Sequence, residues 1–234
     1  MARSGSVNFS MTRDELIQSA YELVSVAVDG EALSSGDTAI ANKVLNMMLK
    51  AWQVHDLQLW KRTEITIDLI AAQSAYTIGR VGTPSETADR PIKVLYAELI
   101  DSSSNSTPLR WLSKVDFFDL PVQTGTPVQY NYEPTLDNGT LNVWPTPTST
   151  EVALYDIKVL VQTPIEDMDA GTDDFDFPQE WLEAITYNLA YRLAPRFSMP
   201  RLERQLLKQD AKEALELVLG YDREDSVYFQ PDRN

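Results

Sequence analysis

The densest set of groups able to do chemistry is a run of carboxylates: Glu166, Asp167, Asp169, Asp173, Asp174 and Asp176. Two chemistries use such groups. A calcium loop wraps oxygens around a hard cation; a paired-carboxylate hydrolase protonates a leaving group with one acid and uses the other as nucleophile or base. The spacing fits an EF-hand poorly, because position twelve from Asp167 is Pro178 and not the bidentate glutamate that closes the loop. A hydrolytic pair is defined by separation in space, which residue order does not give. The simpler reading is a solvated loop leading into a helix N-terminus, where the dipole favours negative charge. The single histidine, His55, sits between Val54 and Asp56 in a helical stretch and reads as a surface or packing residue. It has no organised partners for a triad or a multi-histidine metal site. With no cysteine there is no thiolate ligand, disulfide framework or cysteine nucleophile. Neither a phosphate-binding P-loop, a dinucleotide-binding glycine motif nor a nucleophile elbow is present. No catalytic, cofactor-binding or metal-ligating residues are therefore assigned, and no cofactor is expected.

Charge narrows the classes further. Of 234 residues 35 are acidic and 20 basic, a formal net charge of −15. Gripping nucleic acid requires a basic surface, because phosphate neutralisation supplies most of the affinity. A protein that lets DNA pass without holding it is compatible with this charge; the plainer use of acidity is solubility. The chain is 43% hydrophobic and has enough apolar material for a substantial core. No apolar run spans a bilayer, and the opening MARSGSVNFS lacks a signal-peptide core. A protein made in the cytoplasm, with no membrane partner, is expected.

The elements that would position these residues come in three blocks. Thr12 and Glu15 form a capping box opening a helix with Leu16, Ala20, Leu23, Val24 and Ala27 on one face, ending near Gly30. A second helix is predicted from Ser35–Asp37 to about Trp60, pairing with the first as a hairpin. Period-two alternation then predicts strands at 64–70, 75–78, 92–100, 107–112, 128–132, 140–144 and 152–162, with a short helix or turn at 113–118. Asp137-Asn138-Gly139 is a turn signal at the tip of a hairpin spanning 130–144. Helices return at Pro178, expected at the first helical position; Pro195 interrupts them, and a last helix runs from about Met199 to Leu219, stopped by Gly220.

The order predicts an α+β fold: a helical bundle from N- and C-terminal helices, an inserted antiparallel β domain, and an extended C-terminal tail. The boundaries are 1–62 for the first helical hairpin, 63–164 for the β domain, 165–220 for the closing helices and 221–234 for the tail. In FDFPQEWLEAITYNLAYRLA, Trp181, Leu182, Ile185, Leu189 and Leu193 make one apolar stripe, and Tyr187 and Tyr191 widen it onto a second face. So broad an apolar girth calls for either one domain core or contact with further copies.

Several motifs in order resemble a known family. They are LNMMLKAW at 45–52, QSAYTIG at 73–79, RPI at 90–92, VWPTP at 143–147, FPQEW at 177–181 and YNLAYRLA at 187–194. Together they resemble the head-to-tail adaptors of tailed bacteriophages, with the tail accessory (packaged-DNA-stabilising) and tail tubular proteins of short-tailed phages as the nearest kin, over roughly residues 12–220. The resemblance implies a structural virion protein at the portal–tail junction, forming a dodecameric ring under the portal with a channel for the genome. It implies the portal and a downstream tail nozzle or stopper as partners, with DNA passing but not tightly bound. Trp181, Ile185, Tyr187 and Tyr191 are then candidates for the contact between subunits, and Tyr221, Tyr228 and Phe229 of the tail for the contact with the portal. Two other readings stand beside this one: a carboxylate-based cell-wall hydrolase associated with the virion, and an interaction module that forms no ring.

Overall fold

A computed structural model of the chain describes residues 9–24, 33–53 and 59–221. The elements begin with α1 (Arg13–Leu23), α2 (Ser35–Trp52), β1 (Arg62–Asp68), β2 (Ala75–Gly79) and β3 (Glu86–Thr87). They continue with β4 (Lys93–Asp101), β5 (Ser106–Pro108), β6 (Arg110–Trp111), α3 (Lys114–Phe118), β7 (Gln129–Pro134) and β8 (Asn138–Trp144). Last come α4 (Ser149–Val152), β9 (Tyr155–Gln162), α5 (Leu182–Leu193) and α6 (Arg201–Tyr221). The fold is α+β, and it divides into a helical unit, Met1–Trp60 with Ile165–Asn234, and a β unit, Lys61–Pro164.

In the helical unit, α1 starts where Thr12 and Glu15 cap each other: the Thr12 N–H donates to Glu15 Oε2 at 2.8 Å, and Thr12 Oγ1 accepts from the Glu15 N–H at 3.4 Å. Ser34 caps α2 in the same sense, accepting from the Asp37 N–H at 3.1 Å. Leu16, Ile17, Ala20 and Tyr21 of α1 and Leu45, Met48, Leu49 and Trp52 of α2 enter one core with α5. Leu23, assigned to the buried face of the first helix, is exposed, because the face of α1 that turns to α5 centres on Leu16, Ala20 and Tyr21. Tyr21 ties the two N-terminal helices by donating its hydroxyl to the Asp37 carbonyl at 3.0 Å. Gly30, Ala27 and His55 lie outside the described residues. The second helix closes at Trp52, with Gln53 as its cap, and residues 59–61 form a separate 3-10 turn.

Pro178 stands one position outside the turn that it introduces. Its extended backbone offers a carbonyl to the Trp181 N–H at 2.9 Å, so Gln179–Trp181 make a 3-10 turn that leads into α5. Pro195 interrupts α5 as expected, through a second 3-10 turn at Ala194–Phe197. Gly220 does not end α6, which runs through it to Tyr221. One exposed glycine costs a helix only about 1 kcal/mol.

The β unit is two sheets on one core. The four-stranded sheet, in order β1-β9-β4-β5, is wholly antiparallel. The five-stranded sheet, β3-β2-β8-β7-β6, is antiparallel through its three long strands, and its two-residue edge strands β3 and β6 pair in parallel. Ile65 and Ile67 of β1, Ile157 and Val159 of β9, Tyr76 of β2 and Leu141 of β8 all point into that core. The strand foreseen at 152–162 starts only at Tyr155, since a capping box of Thr148 and Glu151 first winds α4. The hairpin is present, but its turn lies at 135–137: Asn138 and Gly139 already belong to β8, and Gly139 faces Pro134. Gly139 is not in the left-handed region. Its constraint is spatial, because a Cβ there would lie 1.9 Å from the Tyr132 hydroxyl.

Candidate interaction surfaces

The acidic run is folded onto the N-terminal helices, and two of its carboxylates, Asp173 and Asp176, hold backbone N–H groups. The Asp173 carboxylate accepts from the N–H groups of Asp169 at 2.9 Å and Ala170 at 2.6 Å. Asp167 pairs with Lys50 at 2.9 Å. Asn46 of α2 holds Met168 from both sides, donating to its carbonyl at 3.1 Å and accepting from its N–H at 3.0 Å. Arg13, nine-tenths buried, forks onto Asp14 and reaches the Asp169 carbonyl at 2.8 Å. Among the described residues no group of three or more histidines or carboxylates is placed to hold a metal ion. Glu180, in the first turn before α5, is exposed.

The residues expected between subunits separate into two pairs. Trp181 is 5% exposed and Ile185 fully buried, both inside the helical core of their own chain. Trp181 packs against Trp52, Trp60 and Phe177 with ring centroids 6.0, 5.2 and 5.7 Å away. Tyr187 and Tyr191 are partly buried and pack against the edge of the same core. Tyr187 lines a groove of about 550 Å³ between α1 and α5, whose apolar wall includes Phe9, Met11, Leu23 and Leu182 and whose polar rim includes Glu22 and Glu183. Tyr221 is the last residue of α6, while Tyr228 and Phe229 lie outside the described residues.

The 21 residues of α6 carry three stripes. Leu207, Ala211 and Val218 are buried against the rest of the unit. Asn188 of α5 anchors this side by donating to the Ala211 carbonyl at 2.8 Å. Arg201, Arg204, Lys208 and Lys212, spaced by three and four residues, run along one flank. Leu202, Leu206, Asp210, Glu213 and Leu217, at the same helical spacing, run along the other. Those three leucines are 69%, 55% and 72% exposed. Within this helix only Lys212 pairs with an acid, Glu216 at 3.4 Å. Intrahelical pairs between the basic stripe and Asp210 or Glu213 are not formed, because these groups stand on opposite flanks.

In the β unit, Trp111, Val115, Phe118 and Val122 stand out from β6, α3 and the loop after it. Their polar support is Lys114, 2.6 Å from Glu133 and 5.7 Å above the Phe118 ring. Tyr132 donates its hydroxyl to the Pro91 carbonyl at 2.6 Å, and burial pushes its pKa up to about 12.

Sequence reasoning missed the clamps of the acidic run and the two flanks of α6. The first depends on Asn46 and Arg13, far away in sequence. The second was legible in the spacing of Leu202, Leu206 and Leu217 along the last helix. A search of curated proteins returns no match. The model of the SU10 adaptor protein family matches residues 11–233. That match takes in both sections of the helical unit and the whole β unit, so the chain belongs to the SU10 adaptor protein family, a phage head-to-tail adaptor family.

Proposed function

We propose that the chain acts as a structural ring, dodecameric, seated under the portal of a tailed phage, extending the DNA channel and presenting the surface on which the tail docks. The family match over residues 11–233 carries this reading. The clamped state of Asp167 and Asp173 favours a structural over a hydrolytic use of the acidic run. Of the four candidates for the contact between copies, Tyr187 and Tyr191 are only partly buried, whereas Trp181 and Ile185 are enclosed in the core. The genome passes without being gripped, as the net charge of −15 favours.

Mass measurement of the purified chain, alone and with portal, tests the reading: a closed twelve-copy species on portal is expected, and a chain that stays monomeric with portal overturns it. The tail contact has its own test. With Tyr221, the adjacent Tyr228 and Phe229 are aromatic anchors of the kind that fill a partner's pockets, and many weak contacts around a ring add through avidity. Deleting residues 222–234 should leave the subunit folded and impair its attachment to portal-bearing heads. Unimpaired attachment means that the tail does not dock.

A further inference from the structure

We propose that the two flanks of α6 are the two halves of one head-to-tail contact, so that the leucine flank of one copy seats on the basic flank of α6 in the next. The inference rests on the ring reading above and names the surface that closes it.

The leucine flank displays Leu202, Leu206 and Leu217, all more than half exposed, with the carboxylates of Asp210 and Glu213 between them. Such a stripe needs a partner that supplies both methylene surface and positive charge. Arginine and lysine supply both, because their stems lie along apolar surface while their heads reach for acids. The opposite flank of the same helix, Arg201, Arg204, Lys208 and Lys212, is that partner in charge and in its repeat of three and four residues. Neither flank satisfies the other within one copy, because they face apart on either side of the buried stripe. A second copy brings the missing half. Because the two halves differ, the contact is heterologous, and repetition closes a ring when the rotation per step divides a full turn.

The chain has no cysteine, so an engineered pair reports the contact cleanly. In the full-length chain, Leu206→Cys combined with Lys208→Cys should give, on oxidation, a ladder of disulfide-linked multimers ending in a closed species. Neither single variant should link beyond background. A dimer formed by Leu206→Cys alone means that like flanks meet, and overturns the proposal. Absence of a ladder in samples whose mass shows a ring on portal overturns it while leaving the ring reading intact; absence of any oligomer overturns both.

Charge reversal gives an independent check. Asp210→Lys with Glu213→Lys, and separately Arg201→Glu with Lys208→Glu, should each lower assembly at least tenfold, with α-helical content unchanged. Mixing the two variants should restore assembly, since flanks of opposite sign are again available in alternation. Failure of the mixture to recover, with both variants folded, overturns the pairing of flanks.

Discussion

Gly139 has no room for a Cβ, which would stand 1.9 Å from the Tyr132 hydroxyl. An Asn-Gly pair between two alternating runs signals a tight hairpin turn through the left-handed conformations that it tolerates. Here the turn closes earlier, with the Thr135 N–H donating to the Asn138 carbonyl at 2.9 Å, and Gly139 lies in the strand under the Tyr132 ring. Gly139→Ala should force that ring off Pro91 and destabilise the β unit by about 1–3 kcal/mol, the usual cost of overpacking. The midpoint of urea unfolding measures it, and an unchanged midpoint means that the ring moves freely. Tyr132 also sets a pH dependence. Burial raises its pKa to about 12 from 10.0, and burial raises those of Tyr76 and Tyr130 as well. The folded state therefore holds these protons more tightly than the unfolded chain. Stability from this source is full below pH 10 and falls as pH rises towards 12. Alkaline unfolding should begin in that window, and Tyr132→Phe should reduce its steepness.

At the scale of elements, α5 decides between the two fates foreseen for a broad apolar girth. Its core side meets α1, α2 and α6 of its own chain, with Ala184, Ile185 and Leu189 fully buried. Ile185→Ala should accordingly cost about 2–5 kcal/mol of stability through the cavity that it leaves. Tyr187→Ser, on the partly buried side that lines the groove, should cost less stability than Ile185→Ala and weaken association of copies. Thermal unfolding and sedimentation of both variants separate the roles, and the reverse pattern would refute the assignment. Helices and long strands were legible because their burial follows a period. The stretch 64–70, for example, alternates as its observed neighbour pairs in β1 and β9 require. The edge strands β3 and β6 were not, since two residues carry no period. Nor were the clamps on Asp169 and Met168, where the decisive partners stand 156 and 122 residues away.

For the whole molecule, charge is the property that survives every detail of the fold. With 35 acidic and 20 basic residues, counterion release gives the chain little grip on duplex DNA. The stripe on α6 does not alter this if its cations are covered by a neighbour's leucine flank. Filter binding or fluorescence anisotropy on random duplex should find no submicromolar, salt-sensitive association at physiological ionic strength. Tight association that weakens steeply with salt would show that the basic stripe is open to DNA and not covered by a neighbour.

The β unit begins and ends at the same place. Arg62 pairs with Gln162 across β1 and β9, and the Thr163 N–H donates to the Lys61 carbonyl at 2.8 Å just outside that pair. A segment whose two ends are already stitched together asks almost no closure entropy of its host, however many strands it contains. To Trp60 and Ile165 the whole β unit therefore counts as a short bridge. Insertions or deletions inside this unit should leave the closure entropy of the helical unit almost unchanged.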